Sequence, residues 1–250
     1  MSITIAIAGK GGSGKTTVAA MIVRHLVERT RRNILAVDAD PNATLGLALG
    51  VEPEMTVADI REQTLEHRLQ SGAGASRERA FEFAVQRAIA EARGFDLLTM
   101  GQPEGPKCYC AVNHLLREYM NAASAGYAYV VLDNEAGMEH LSRRTTDAVD
   151  VLLVVAEPTA VGATTARRIL GLSERLPITV RERLVLWSKV PEGVSPPVAA
   201  DLPAAGIVPF DPAVLDLSMR GGTVLQLAAE SPALRAVGEL LASRMGVAAV

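Results

Sequence analysis

Short apolar runs alternate with stretches of helical periodicity along this 250-residue chain. Ile3-Thr4-Ile5-Ala6-Ile7-Ala8 is rich in β-branched residues and of strand length, and it runs straight into glycine. Val18 to Leu26 spaces its apolar residues as a helix does. Asn33 to Val37, Phe95 to Met100, Tyr127 to Leu132, Val149 to Ala156 and Leu184 to Trp187 predict further strands. Gly206 to Phe210 predicts a short one, followed by a turn at Asp211. Residues 44–93 read as helical, mainly Val57 to Leu69 and Arg77 to Ala92, with a small-residue loop over Ser71 to Ser76. Val112 to Met120, Thr159 to Leu176 and Ser231 to Met245 carry helical spacing too, and Glu139 starts another helix. The alternation, with no internal repeat or linker, predicts an α/β fold. The expectation is a single doubly wound, mostly parallel sheet flanked by helices, with residues 1–250 as one domain.

Composition narrows this picture. Aromatic residues are 4% of the chain, so the core has to be built from Val, Leu, Ile and Ala, as suits parallel strands covered on both faces. A formal charge of −3 without any long basic block argues against a nucleic-acid partner. No apolar run is long enough to span a membrane, and the last helix has two arginines and no aromatic, so it is expected to dock on the core. The two cysteines form a single Cys-x-Cys pair, which together with the lack of a secretion signal predicts a cytoplasmic protein.

The chemistry starts where the first strand ends. Gly9-Lys10-Gly11-Gly12-Ser13-Gly14-Lys15-Thr16-Thr17 lies between a predicted strand and a predicted helix, the context that makes a P-loop. Glycines let backbone N–H groups turn inward around phosphates, and the helix N-terminus adds its dipole. Lys15 is placed to reach the β- and γ-phosphates, and the Thr16 hydroxyl to bind Mg²⁺. The second strand delivers Asp38-Ala39-Asp40-Pro41-Asn42 to the same sheet edge, where carboxylates can act on Mg²⁺ or on an attacking water. Asp133, at the tip of an apolar strand with Gly137 four residues on, has the Walker B arrangement. Its carboxylate would hold Mg²⁺, and the Gly137 N–H would feel the γ-phosphate.

Lys10 marks a subclass. Gly-Lys-Gly-Gly-x-Gly-Lys-Thr-Thr resembles the deviant Walker A of the MinD/ParA-type ATPases. That resemblance implies ATP with Mg²⁺ and a homodimer with nucleotide sandwiched between subunits, Lys10 reaching the partner's phosphates. It also implies that Asp40 positions the attacking water and Asp38 supports the Mg²⁺ shell. Pro209-Phe210-Asp211 resembles the family's base-contacting turn. Ser188 stands where members usually carry an Asn that contacts adenine, so adenine over guanine is carried by the resemblance and not by this residue. Three further stretches resemble the CooC branch: Asp38 to Asn42 with Leu45 to Gly50, Cys108-Tyr109-Cys110 with Asn113 and Leu115 to Arg117, and Asp133 to Arg143. Those ATPases are implicated in nickel insertion into carbon monoxide dehydrogenase.

Cys108 and Cys110 supply two thiolates, whereas a closed soft-metal site wants about four. Two chains donating a pair each across a twofold axis would complete it, in keeping with the dimer that the Lys10 resemblance implies. The expected function is therefore an ATP-dependent metallochaperone that binds Ni²⁺, or Zn²⁺ in its place, and serves carbon monoxide dehydrogenase. Three alternatives stand beside it: maturation of another nickel or iron–sulfur enzyme, a ParA/MinD-like partitioning or positioning ATPase, and an electron-transfer ATPase with a bridging cluster. The last would want a cysteine just past Asp133, and Asn134 to Gly137 contains none.

Overall fold

Eight strands form one sheet in the order β3-β4-β2-β5-β1-β6-β7-β8. They are β1 (Ile3–Gly9), β2 (Ile34–Ala39), β3 (Ile89–Ala92), β4 (Phe95–Thr99), β5 (Tyr129–Asn134), β6 (Ala148–Ala156), β7 (Thr179–Val190) and β8 (Ala204–Pro209). The structure is a computed structural model that describes residues 2–60, 62, 85–101, 126–134, 148–197 and 201–247. All neighbouring strands are parallel except β3 and β4, which form an antiparallel hairpin at one edge. The expected doubly wound, mostly parallel sheet is what the chain forms.

Alternation along each strand sends residues to opposite faces, and both faces are covered. Ile5, Ile7, Ala36, Val131 and Leu153 pack beneath α1 (Lys15–Thr30) and α5 (Pro232–Met245). Ala6, Ala8, Val37, Leu132 and Val154 pack on the other side with α3 (Ala160–Ser173). α5 buries Leu234, Val237, Leu240 and Leu241, so the last predicted helix docks on the core as expected. Arg24 of α1 is buried and donates to the carbonyls of Val224 (2.8 Å) and Leu227 (2.7 Å), tying a 3-10 turn, Val224–Gln226, to that helix. No helix among the described residues is long and apolar enough to cross a membrane.

Two elements differ from the periodicity. Ile89–Ala92 is a strand where a helix through Ala92 was expected. Arg93-Gly94 makes a two-residue hairpin loop, Gly94 sits at φ +94°, and Ala92 pairs with Phe95, so tertiary pairing overrides a weak helical pattern. Pro212–Met219 is a helix, α4, where a turn was expected; Asp211 caps its N-terminus. The short α2 (Leu45–Leu49) and helical residues 57–60 agree with the helical reading of the region after β2. The predicted helices over 112–120 and from Glu139, the loop over 71–76 and most of the two long helical stretches lie outside the described residues.

Candidate nucleotide site

β1 stops at Gly9, and the loop to α1 is shaped by positions that tolerate no side chain. A Cβ on Gly9 (φ +155°) would collide with the Val155 carbonyl of β6 and lie 2.9 Å from Ser13 Oγ. Gly12 (φ +81°) and Gly14 (φ +94°, the N-cap of α1) adopt left-handed backbone. The Lys10 carbonyl closes the loop, accepting from the Ser13 amide (3.1 Å) and Lys15 Nζ (3.4 Å). No side chain caps α1 and its first turn holds no acid, so its leading N–H groups and positive dipole end are directed at the loop. Lys15 and Ser13 are buried, and Ser13 Oγ has no hydrogen-bond partner. Lys10 is exposed, and its ammonium makes no ion pair with the described residues.

Directly beside the loop lie two carboxylates. Asp38 and Asp133 are register partners across β2 and β5, so the two side chains stand next to each other, both fully buried. Asp38 Oδ2 accepts from the Leu45 amide (2.7 Å) and Oδ1 from the Asp40 amide (3.2 Å). Burial pushes its carboxyl up to about 6, with those amides opposing and Asp40 adding repulsion. Neither oxygen of Asp133 has a hydrogen-bond partner. Burial pushes Asp133 up to about 7; the nearby Thr16 hydroxyl opposes this without reaching hydrogen-bond geometry, as does Lys15, while Asp38 and Asp40 add repulsion. A buried carboxylate pair, Asp133 without a donor and Asp38 oriented by backbone amides, beside a hydroxyl is a hard-oxygen donor set, which fits Mg²⁺ bound through one or two carboxylates plus phosphates and water. Thr16 Oγ1 lies 3.4 Å from Thr44 Oγ1 on the facing turn. Asp40 Oδ1 accepts from the Asn42 amide (2.9 Å) and Asn42 Nδ2 (2.7 Å), so the turn that Asp-Pro-Asn signals is present at the same carboxylate.

A cleft of about 390 Å³ opens on the far side of the loop, lined by Gly14, Thr17, Ser188, Pro209 and Phe210 among others. Ser188 is buried there, and a Cβ on Gly14 would stand 3.1 Å from its hydroxyl. Asp211 lines the same cleft, but its carboxylate is engaged structurally. It accepts from the Ala213 amide (2.9 Å), the Ser231 hydroxyl (2.6 Å) and the Ala233 amide (3.4 Å), joining the starts of α4 and α5. Phe210 is half exposed at the cleft wall.

Sequence-predicted Gly9, Lys10, Gly11, Gly12, Ser13, Gly14, Lys15, Thr16 and Thr17 thus meet Asp38, Asp40 and Asp133 at the carboxyl ends of β1, β2 and β5. Ser188, Pro209, Phe210 and Asp211 reach the other side of the loop from β7 and β8. Cys108, Cys110 and Gly137 lie outside the described residues. Among the described residues no group of three or more His, Cys, Asp or Glu side chains is arranged to hold a metal ion by itself. Sequence reasoning missed Lys189 and Glu157. Lys189 Nζ donates to the Gly12 carbonyl (2.5 Å) and lies 3.6 Å from Glu157 Oε1. For Lys189 the signal available was its place after Ser188, where the family it resembles carries Asn-Lys or Asn-Arg.

Residues 4–224 match the family described as CbiA, the CobQ/CobB/MinD/ParA nucleotide binding domain. An uncharacterized ATP-binding protein of Methanocaldococcus jannaschii is 42% identical over 188 residues, 74% of each chain. The carbon monoxide dehydrogenase accessory protein CooC of Rhodospirillum rubrum is 32% identical over 244 residues, 92% of this chain and 91% of that one. Among solved structures, the septum site-determining protein MinD of Pyrococcus horikoshii complexed with Mg-ADP superposes with a TM-score of 0.71 at 21% identity, covering 100% of both chains.

Proposed function

The chain belongs to the CobQ/CobB/MinD/ParA nucleotide-binding family, and on that premise we propose that it is a magnesium-dependent ATPase that closes as a homodimer and loads nickel into a metalloenzyme. The observation that carries the ATPase reading is the Asp38–Asp133 pair, in register and without donors on Asp133, beside the phosphate loop. Thr16, Asp38 and Asp133 would hold the ion, which when bound would neutralise charge on the β- and γ-phosphates. Lys15 stabilises charge on the transferring phosphoryl group within the same chain. Lys10, exposed and without an ion-pair partner among the described residues, is free to do so for the partner subunit's nucleotide. Asp40 orients the attacking water. Ser188, Pro209 and Phe210 enclose the base, and Asp211 fixes the turn that carries them.

The nickel part rests on the relative named as a carbon monoxide dehydrogenase accessory protein, similar over nearly the whole length of both chains. Cys108 and Cys110 supply two thiolates per chain and four per dimer, a set suited to Ni²⁺ or Zn²⁺ as cargo. Asp133 and the cysteine pair flank one stretch, residues 111–132, so relaxation of the segment after Asp133 on hydrolysis would rearrange the thiolates. Carbon monoxide dehydrogenase is the client proposed, with another nickel or iron–sulfur enzyme the neighbouring possibility, and a cytoplasmic setting follows from reduced thiolates. Residues 1–250 act as one domain in this reading.

The test is metal stoichiometry and sedimentation of the purified chain under anaerobic conditions, with ADP and with a slowly hydrolysed ATP analogue. One metal per dimer, retained only when the analogue drives dimerisation, is expected. One metal per monomer whatever the nucleotide would overturn the shared site.

A further inference from the structure

The loop that carries Gly12 is held from a side that the phosphate chemistry does not use. Pairing between β7 and β8 shifts register between Trp187 and Val190, and within that irregularity Lys189 adopts φ +56°. Left-handed backbone is uncommon for a lysine and rarer inside a strand. Its effect is to take the side chain out of the strand's alternation and lay it along the phosphate loop. The stem passes Gly14, where an added Cβ would lie 3.7 Å from Lys189 Cε, and the ammonium reaches the Gly12 carbonyl at 2.5 Å. The Glu157 carboxylate lies 3.6 Å away, and both partners are about half exposed (47% and 48%), so that ion pair orients the ammonium more than it stabilises anything.

Gly12 sits at φ +81°, and a glycine flanking a peptide makes rotation of that peptide easy. Turned the other way, the Gly12 carbonyl would present an acceptor to an anion. We propose that Lys189 is a positioning residue that pins the Gly12–Ser13 peptide outward, so that the loop offers donors and no carbonyl to the triphosphate. The peptide is then fixed at both ends, since the Ser13 amide is held by the Lys10 carbonyl at 3.1 Å. This rests on the reading of the loop as an ATP site.

Trp187, the chain's one tryptophan, is buried two residues before Lys189 and serves as the reporter. Titrations of MgATP and MgADP would follow its fluorescence in the wild type and in Lys189→Met, Lys189→Arg and Lys189→Gly. Lys189→Met is expected to weaken MgATP about tenfold, the usual weight of a charged hydrogen bond, and Lys189→Arg to recover most of that. Lys189→Gly is expected to raise the melting temperature by relieving left-handed backbone while weakening MgATP as Lys189→Met does. Stability and affinity moving in opposite directions is a pattern that a packing role alone cannot give. Wild-type affinity in Lys189→Met, or parallel loss of stability and affinity in Lys189→Gly, overturns the pin and leaves the ATP site standing. A wild-type chain that binds no MgATP overturns both.

Discussion

Replacing Asp133 by asparagine should make the chain more stable and inactive at once. The wild-type carboxyl is fully buried without a donor, and its pKa is pushed from 3.8 to about 7. A folded-state value above the unfolded one means that folding binds a proton. The penalty is therefore absent below about pH 4, grows as pH rises and is complete above about pH 7. At about 1.4 kcal/mol per pH unit, that gap costs the folded chain about 4 kcal/mol at neutral pH. Asparagine removes the charge but leaves an unpaired buried amide, which costs about 1–3 kcal/mol. The net gain at pH 8 is on the order of 1–3 kcal/mol, or roughly 2–12 °C in a domain of this size. Thermal melts of both proteins in EDTA, from pH 4.5 to 8.5, provide the assay. The advantage of Asp133→Asn should widen between pH 5 and 7 and then level off, while in EDTA-free buffer MgATP should raise the wild-type melting temperature and leave the variant's nearly unchanged. A variant less stable than wild type at pH 8, or a difference independent of pH, would refute the argument that this carboxylate waits, charged and unpaired, for a cation.

Lys10→Ala is expected to lower kcat at least about a hundredfold with little change in KM, as loss of transition-state charge stabilisation does. If Lys10 acts in trans, mixing Lys10→Ala with Asp40→Ala chains regenerates one intact site per heterodimer and roughly a quarter of wild-type turnover; no recovery on mixing counts against the trans role. Arg24→Met leaves the carbonyls of Val224 and Leu227 without their donor and should cost about 2–4 kcal/mol, read by urea denaturation at fixed pH. Gly9→Ala places a Cβ against the Val155 carbonyl, so nucleotide affinity measured by calorimetry should fall more than about tenfold.

The central strands were legible because parallel strands covered on both faces carry continuous apolar runs, and β1, β2, β4, β5 and β6 all do. β7 was seen only over its apolar centre, since Arg181, Glu182 and Arg183 precede it within the same strand. β3 was hidden because four residues cannot establish a period, and the informative feature was the Arg93-Gly94 loop after it. α4 has no fully buried residue and packs on the core only through the partly buried Val214 and Leu217, too short a stripe to set a period; its readable sign was an Asp-Pro start. In the site, spacing alone located the phosphate loop. The pairing of Asp38 with Asp133 depends on sheet register, and the reach of Lys189 on a left-handed backbone, and neither is written in local sequence.

Arg24 also separates two boundaries that are easily taken as one. The match to the family description ends at residue 224, the residue whose carbonyl accepts from the Arg24 guanidinium. Beyond it, α5 contributes Leu234, Val237 and Leu241 to the same apolar face as Ile5 and Ile22, and Gly238 leaves room for the His25 ring, whose Cε1 would lie 2.7 Å from an added Cβ. The end of a family match and the end of a cooperatively packed unit need not coincide. A fragment cut at the end of the match would keep every phosphate-loop residue yet strip the back of the helix that the loop feeds into. Trimming, tagging or splitting this chain is best planned around the packing of α1 and not around the limits of the motif it carries.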